Sequence, residues 1–108
     1  MKITVTEGRN TLFLPIENIL RMQAERAYTI FYMKDRKQYV ITKTLAAVQK
    51  QLEHGMFIRV HRQHIINIRE VKIFLNARCP KITMSDNAVV SVASRRKTEL
   101  IKLLKKLK

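Results

Sequence analysis

The stretch Phe57-Ile58-Arg59-Val60-His61-Arg62-Gln63-His64-Ile65-Ile66-Asn67 mixes two kinds of residue. Val60, Ile65 and Ile66 are apolar and would anchor it to a core. The polar members are of types that reach phosphates and base edges. Arg can hold guanine O6 and N7 with two hydrogen bonds, and Gln can hold adenine in the same way. Arg59 could equally grip a phosphate. Residues 57–60 read as a strand, and a loop follows. Taken alone, the stretch reads equally well as a solvated basic loop in which His61 is hydrogen-bonded inside the fold.

Outward from this stretch, short strand patterns alternate with turns. Residues 2–6 alternate, and Glu7-Gly8-Arg9-Asn10 reads as a hairpin turn into residues 11–14, which Pro15 ends. Residues 16–23 suit a short turn leading into a strand. Tyr28–Met33 is rich in β-branched and aromatic residues, and residues 38–42 pair back after the charged turn Lys34-Asp35-Arg36-Lys37. The period changes over residues 44–54: Leu45, Val48 and Leu52 share a helical face, Thr44 can cap its start and Gly55 its end. Val71–Leu75 reads as a strand, and Lys81–Met84 with residues 88–92 as a hairpin around Ser85-Asp86-Asn87. The chain closes with a helix capped by Ser94, whose apolar stripe is Leu100, Ile101, Leu103, Leu104 and Leu107. The expected fold is mainly β, with one short internal helix and one C-terminal helix.

Length and charge narrow the function. A chain of 108 residues fits one domain over residues 1–108. It carries 22 Lys plus Arg against 8 Asp plus Glu, a formal charge of +14. A fold needs no such excess and suffers self-repulsion from it, so a polyanionic partner is the usual reason. Residues 1–54 hold 9 basic and 5 acidic side chains, residues 55–108 hold 13 and 3, so the second half should carry most of the contact. One cysteine, Cys79, forms no internal disulfide. No signal peptide is read at Met1, and no apolar run approaches a membrane span, so a reducing, cytoplasmic setting is expected.

Two further basic segments stand out. With Ser94 as cap, Arg95, Arg96 and Lys97 occupy the first turn of the last helix, where the dipole disfavours each cation by roughly 0.3–1 kcal/mol. A bound phosphate would reverse the sign of that effect. The plainer alternative is a tolerated exposed charge cluster. In Glu25-Arg26-Ala27-Tyr28, Arg26 and Tyr28 could reach a backbone or a base, although Tyr28 also reads as the half-buried first residue of a strand. Lys102, Lys105, Lys106 and Lys108 read as a solvated helix face. No enzyme site is read: there is no Gly-rich phosphate loop, no nucleophile elbow and no evident carboxylate pair. His61 and His64 lack a nearby carboxylate or thiol ligand, so no metal or cofactor is expected.

The stretch 57–67 resembles the signature of the LytTR family of DNA-binding domains: an aromatic, then Arg-Val-His-Arg, a small polar residue, an aromatic, two aliphatics and Asn. Residues 18–28 resemble the family's strand ending before a Tyr, Thr44-Leu45 and Leu52 its short helix, and Val92-Ala93-Ser94-Arg95-Arg96 its closing motif. The likeness covers about residues 3–107. Gln63 and His64 stand where the family usually has Ser and Tyr, and Ala27 where Asn or Lys is common, so the likeness carries the fold and not the base preference. It implies an elongated antiparallel β fold that inserts loops into successive major grooves of duplex DNA. Tyr28, Arg62, Gln63 and Arg95 would touch bases; Arg26, Arg59, Arg96 and Lys97 would hold phosphates. It also implies a bacterial transcription regulator, bound as a homodimer to direct repeats. Such domains usually form the output of phosphorelay response regulators, so a receiver domain or sensor partner is implied, or else a stand-alone regulator.

Two other classes fit charge and size. One is a basic RNA-binding β protein of ribosomal type, which would display stacking aromatics on a sheet face. The chain's Phe13, Phe31, Phe57, Phe74, Tyr28, Tyr32 and Tyr39 mostly suit a core instead. The other is a protein-interaction module for an acidic partner.

Overall fold

The structure, a computed structural model, describes residues 1–52 and 55–107. The N-terminal hairpin pairs β1 (Lys2–Glu7) with β2 (Asn10–Pro15). Alternation places Ile3 and Val5 opposite Leu14 and Leu12 on one face. Gly8 takes φ +60° at the first of two turn residues, the pattern of a type II′ hairpin that glycine makes easy.

A 3-10 turn at Ile16–Asn18 leads into β3 (Ile19–Glu25), β4 (Tyr28–Met33) and β5 (Gln38–Ile41). Next come α1 (Leu45–Gln51), β6 (Phe57–His61) and β7 (His64–Asn67). After a 3-10 turn at Ile68–Glu70 the chain forms β8 (Val71–Leu75), β9 (Lys81–Met84) and β10 (Val89–Ser91). A 3-10 turn at Ser94–Arg96 enters α2 (Lys97–Leu107). All pairings are antiparallel, in three sheets: β1-β2, β5-β4-β3-β7-β6 and β10-β9-β8. The molecule is elongated, 42 × 26 × 24 Å.

The five-stranded sheet separates two cores. Ile65 joins Met22, Phe31 and Ile41 against the first hairpin and against Leu45, Val48 and Leu52. Its neighbour Ile66 joins Val60, Ile82, Met84, Val90, Leu100 and Leu104. Successive residues of a strand point to opposite faces, so this pair ties one strand into both cores. Asn67 closes the strand: its Nδ2 donates to the Ile19 carbonyl at 3.0 Å, and its Oδ1 accepts from Arg69 N–H at 3.0 Å. It is one of two buried polar residues, with Thr29, among the described residues.

Several expectations change. Residues 64–67 form a strand of their own, so the loop after residue 60 is a hairpin with Arg62-Gln63 at its tip. Thr44 does cap α1, accepting from Ala47 N–H at 3.2 Å, but Leu52 ends the helix rather than Gly55. The last part of the helix read over 44–54, residues 53 and 54, lies outside the described residues, as does Lys108. Ser94 makes no side-chain cap. It opens a 3-10 turn, so Arg95 and Arg96 precede α2 and only Lys97 is in its first turn, two residues before Glu99. The dipole penalty read for three cations therefore applies to Lys97 alone. Most of the aromatics serve the cores as read: Phe31 is fully enclosed and Tyr39, Phe57 and Phe74 pack against the cores, whereas Phe13 is 63% and Tyr28 45% exposed.

Candidate nucleic-acid interface

Antiparallel pairing brings the selected residues to one end of the central sheet. β3 and β4 meet there in the turn Arg26-Ala27, between partners Glu25 and Tyr28. Arg26 holds φ +58°, a left-handed conformation that favours glycine and costs a bulky residue on the order of 1 kcal/mol. β6 and β7 meet at the same end in the turn Arg62-Gln63, between partners His61 and His64. The two tips are bonded directly, with Ala24 N–H donating to the Gln63 carbonyl at 2.9 Å. The third segment joins through β6, where Ala93 N–H donates to the Val60 carbonyl at 2.8 Å. Ser94–Arg96 follows at once.

Exposure divides the eight residues into two groups. Arg26, Tyr28, Arg62, Gln63 and Arg95 are exposed; Arg59, Arg96 and Lys97 are half-buried behind them. Arg59 braces the second tip. Its Nε donates to the His61 carbonyl at 3.4 Å, its Nη1 to Gln49 Oε1 at 3.3 Å, and its Nη2 to the Arg62 carbonyl. A guanidinium has five N–H donors, so a phosphate could still bind the rest. Burial lowers the Arg59 pKa, and the nearby Arg96 guanidinium lowers it further. Two cations held that close gain from an anion between them.

His61 contributes from below the tip, where its Nδ1 accepts from Gln63 N–H at 3.2 Å. The His61 and His64 rings lie 5.3 Å apart and tilted. Burial first, then His61 and Arg21, lower the His64 pKa to about 4. Arg21 stacks over the Tyr32 ring at 3.8 Å. No group of three or more metal-ligating side chains occurs among the described residues. Sequence reasoning missed the bracing by Gln49, because nothing in sequence links α1 to a turn beyond the next strand.

Three carboxylates lie at the opposite end, among the exposed Arg36, Lys37 and Lys72. There Glu70 bridges Lys34 at 3.3 Å and accepts from Ser85 Oγ at 3.0 Å. Asp35 and Asp86 cap their own turns, accepting from Lys37 N–H and Ala88 N–H, each at 3.0 Å. The loop end bears Arg26, Arg62 and Arg95 exposed, with Glu25 and Glu99 as its neighbouring carboxylates.

A β-rich fold with cations gathered on the loops of one end falls in the class of polyanion-binding domains. The family described as LytTr DNA-binding domain matches residues 9–105, and the chain belongs to that family. The chain is 26% identical over 106 residues to the sensory transduction protein LytT of Bacillus subtilis strain 168, covering 95% of this chain and 43% of that one. It is 30% identical over 67 residues to the heme-containing CO-sensing transcriptional regulator RcoM 2 of Paraburkholderia xenovorans strain LB400, covering 62% and 25%. The chain thus spans less than half the length of these relatives. Its fold matches a LytTr DNA-binding domain from Bacillus cereus with a TM-score of 0.80 at 19% identity, covering 95% of both chains. No helix among the described residues is long and apolar enough to cross a membrane.

Proposed function

We propose that this DNA-binding domain reads duplex sequence with three loops rather than with a recognition helix, and that it acts by binding, not catalysis. The observation carrying this reading is the hydrogen-bonded convergence of the Arg26-Ala27 turn, the Arg62-Gln63 turn and the segment 93–97. Exposed Tyr28, Arg62, Gln63 and Arg95 are the residues proposed to touch base edges in the major groove. Arg26, Arg59, Arg96 and Lys97 are proposed to hold phosphates and set register. Arg59 has a second duty, keeping the Arg62-Gln63 turn in shape.

The proposed setting is the bacterial cytoplasm, which suits an exposed free Cys79. There the domain would serve as a transcription regulator or as the output of a phosphorelay response regulator, with a homodimer on direct-repeat sites. Binding to RNA is less well supported. The exposed Phe13 lies in the first hairpin and Tyr28 at a tip of the central sheet, so they form no shared stacking platform. Selection from a random duplex pool, with matching RNA as competitor, tests the reading. An enriched duplex motif that RNA fails to displace is expected; no motif, or full displacement by RNA, contradicts it.

A further inference from the structure

The loop between β8 and β9 was not among the segments marked by sequence, yet the fold carries it to the same end of the molecule. Val92 N–H donates to the Pro80 carbonyl at 3.0 Å, one residue before Ala93 bonds to Val60. Lys97 Nζ donates to the Ala77 carbonyl at 3.4 Å. The loop Asn76-Ala77-Arg78-Cys79-Pro80 is thus tied at two points to the segment that bears Arg95, Arg96 and Lys97. Asn76, Arg78 and Cys79 are exposed, while Pro80 is buried and fixes the loop's exit.

Its charge is one-sided. Between Asn76 and Lys97 the one carboxylate is Asp86, which lies in the turn at the far end of the β9–β10 hairpin. Arg78 has no carboxylate partner among the described residues, where the one ion pair is Lys34–Glu70. The Lys97 ammonium on the Ala77 carbonyl sets a second positive charge beside Arg78. Such a pair of cations, Arg78 exposed and Lys97 half-buried, tethered to a loop proposed to read bases, suits a phosphodiester rather than a base edge. Backbone contacts of this kind fix register without reading sequence.

We propose that residues 76–80 form a fourth contact with the duplex, in which Arg78 holds a backbone phosphate flanking the base-reading loops. This rests on the three-loop reading of duplex DNA above. Cys79 supplies a native reporter, as the one cysteine of the chain and an exposed one. The test measures the rate of Cys79 alkylation by iodoacetamide in the intact protein, free and saturated with the selected duplex. It is paired with the salt dependence of Arg78→Gln binding. The complex is expected to slow alkylation several-fold. Arg78→Gln is expected to weaken target and random duplexes alike, keep the selected motif, and lower the slope of log K against log salt by about 0.9. Alkylation at the free rate in a saturated complex, or an unchanged slope in Arg78→Gln, overturns the fourth contact alone. A protein that binds no duplex overturns the three-loop reading as well.

Discussion

Asn67 shows how one side chain can tie two elements of the fold together. It is 1% exposed and uses both amide atoms, one on β3 and one on the turn that starts toward β8. Asn67→Ala leaves the Ile19 carbonyl without its partner in a dry site and should destabilise the fold by about 1–3 kcal/mol, read by urea unfolding. His64 makes a prediction of the opposite kind. Its Nδ1 is buried without a hydrogen-bond partner among the described residues, so a proton there would be an unpaired buried charge. The folded protein keeps His64 neutral down to about pH 4, against the ordinary 6.5. Between those values the unfolded chain binds more protons. The stability from this group is therefore complete above about pH 6.5 and is lost as pH falls toward 4. The urea midpoint should fall from pH 7 to pH 5, and fall less in His64→Gln. In the folded state the His64 ring should show no NMR titration near pH 6.5.

Elements explain what sequence could and could not foretell. Tyr28–Met33, Val71–Leu75 and Lys81–Met84 take the bounds read from them, since each is a run of β-forming residues bounded by turn formers. β7 escaped because Ile65 and Ile66 are adjacent and both buried, one in each core, which erases the alternation that marks a strand. The β3–β4 turn escaped as a tight turn because Arg26 occupies a left-handed position where glycine would be the signal. The candidate site residues were visible by type, Arg and Gln beside apolar anchors. Their meeting was not, since the Ala24–Gln63 bond joins positions far apart in the chain. Arg78 carried no signal because a Cys-Pro pair beside it resembles any strand connection. The short helix α1 gives an element-scale test. Its Thr44 side chain caps Ala47 N–H, so Thr44→Ala should cost about 1 kcal/mol of stability. Because Gln49 of α1 also holds Arg59, the same change should loosen the Arg62-Gln63 turn, seen as faster amide exchange at Gln63.

At the scale of the molecule, two cores share one central sheet, and β7 contributes Ile65 to one and Ile66 to the other. Neither core can open without exposing the other, so unfolding should be one cooperative transition. Far-UV circular dichroism and tyrosine fluorescence should give coincident urea curves. The excess of positive charge, +14 in all, acts at the same scale. At one end Glu70, Asp35 and Asp86 are engaged, with the exposed Arg36, Lys37 and Lys72 beside them, and at the other Arg26, Arg62 and Arg95 stand exposed on the loops. That field would draw the domain toward a polyanion before any base is read. Whether bases are then read by the loops is the central claim. The most direct measurement is affinity for every single-base variant of the selected site, for the wild type and for Arg62→Ala, Arg95→Ala and Lys97→Ala, at two salt concentrations. The account predicts that Arg62→Ala and Arg95→Ala each lose about 1–3 kcal/mol and relax preference at their own positions, while Lys97→Ala weakens all sequences alike and lowers the salt slope by about one. Uniform weakening of every sequence by all three variants would contradict it.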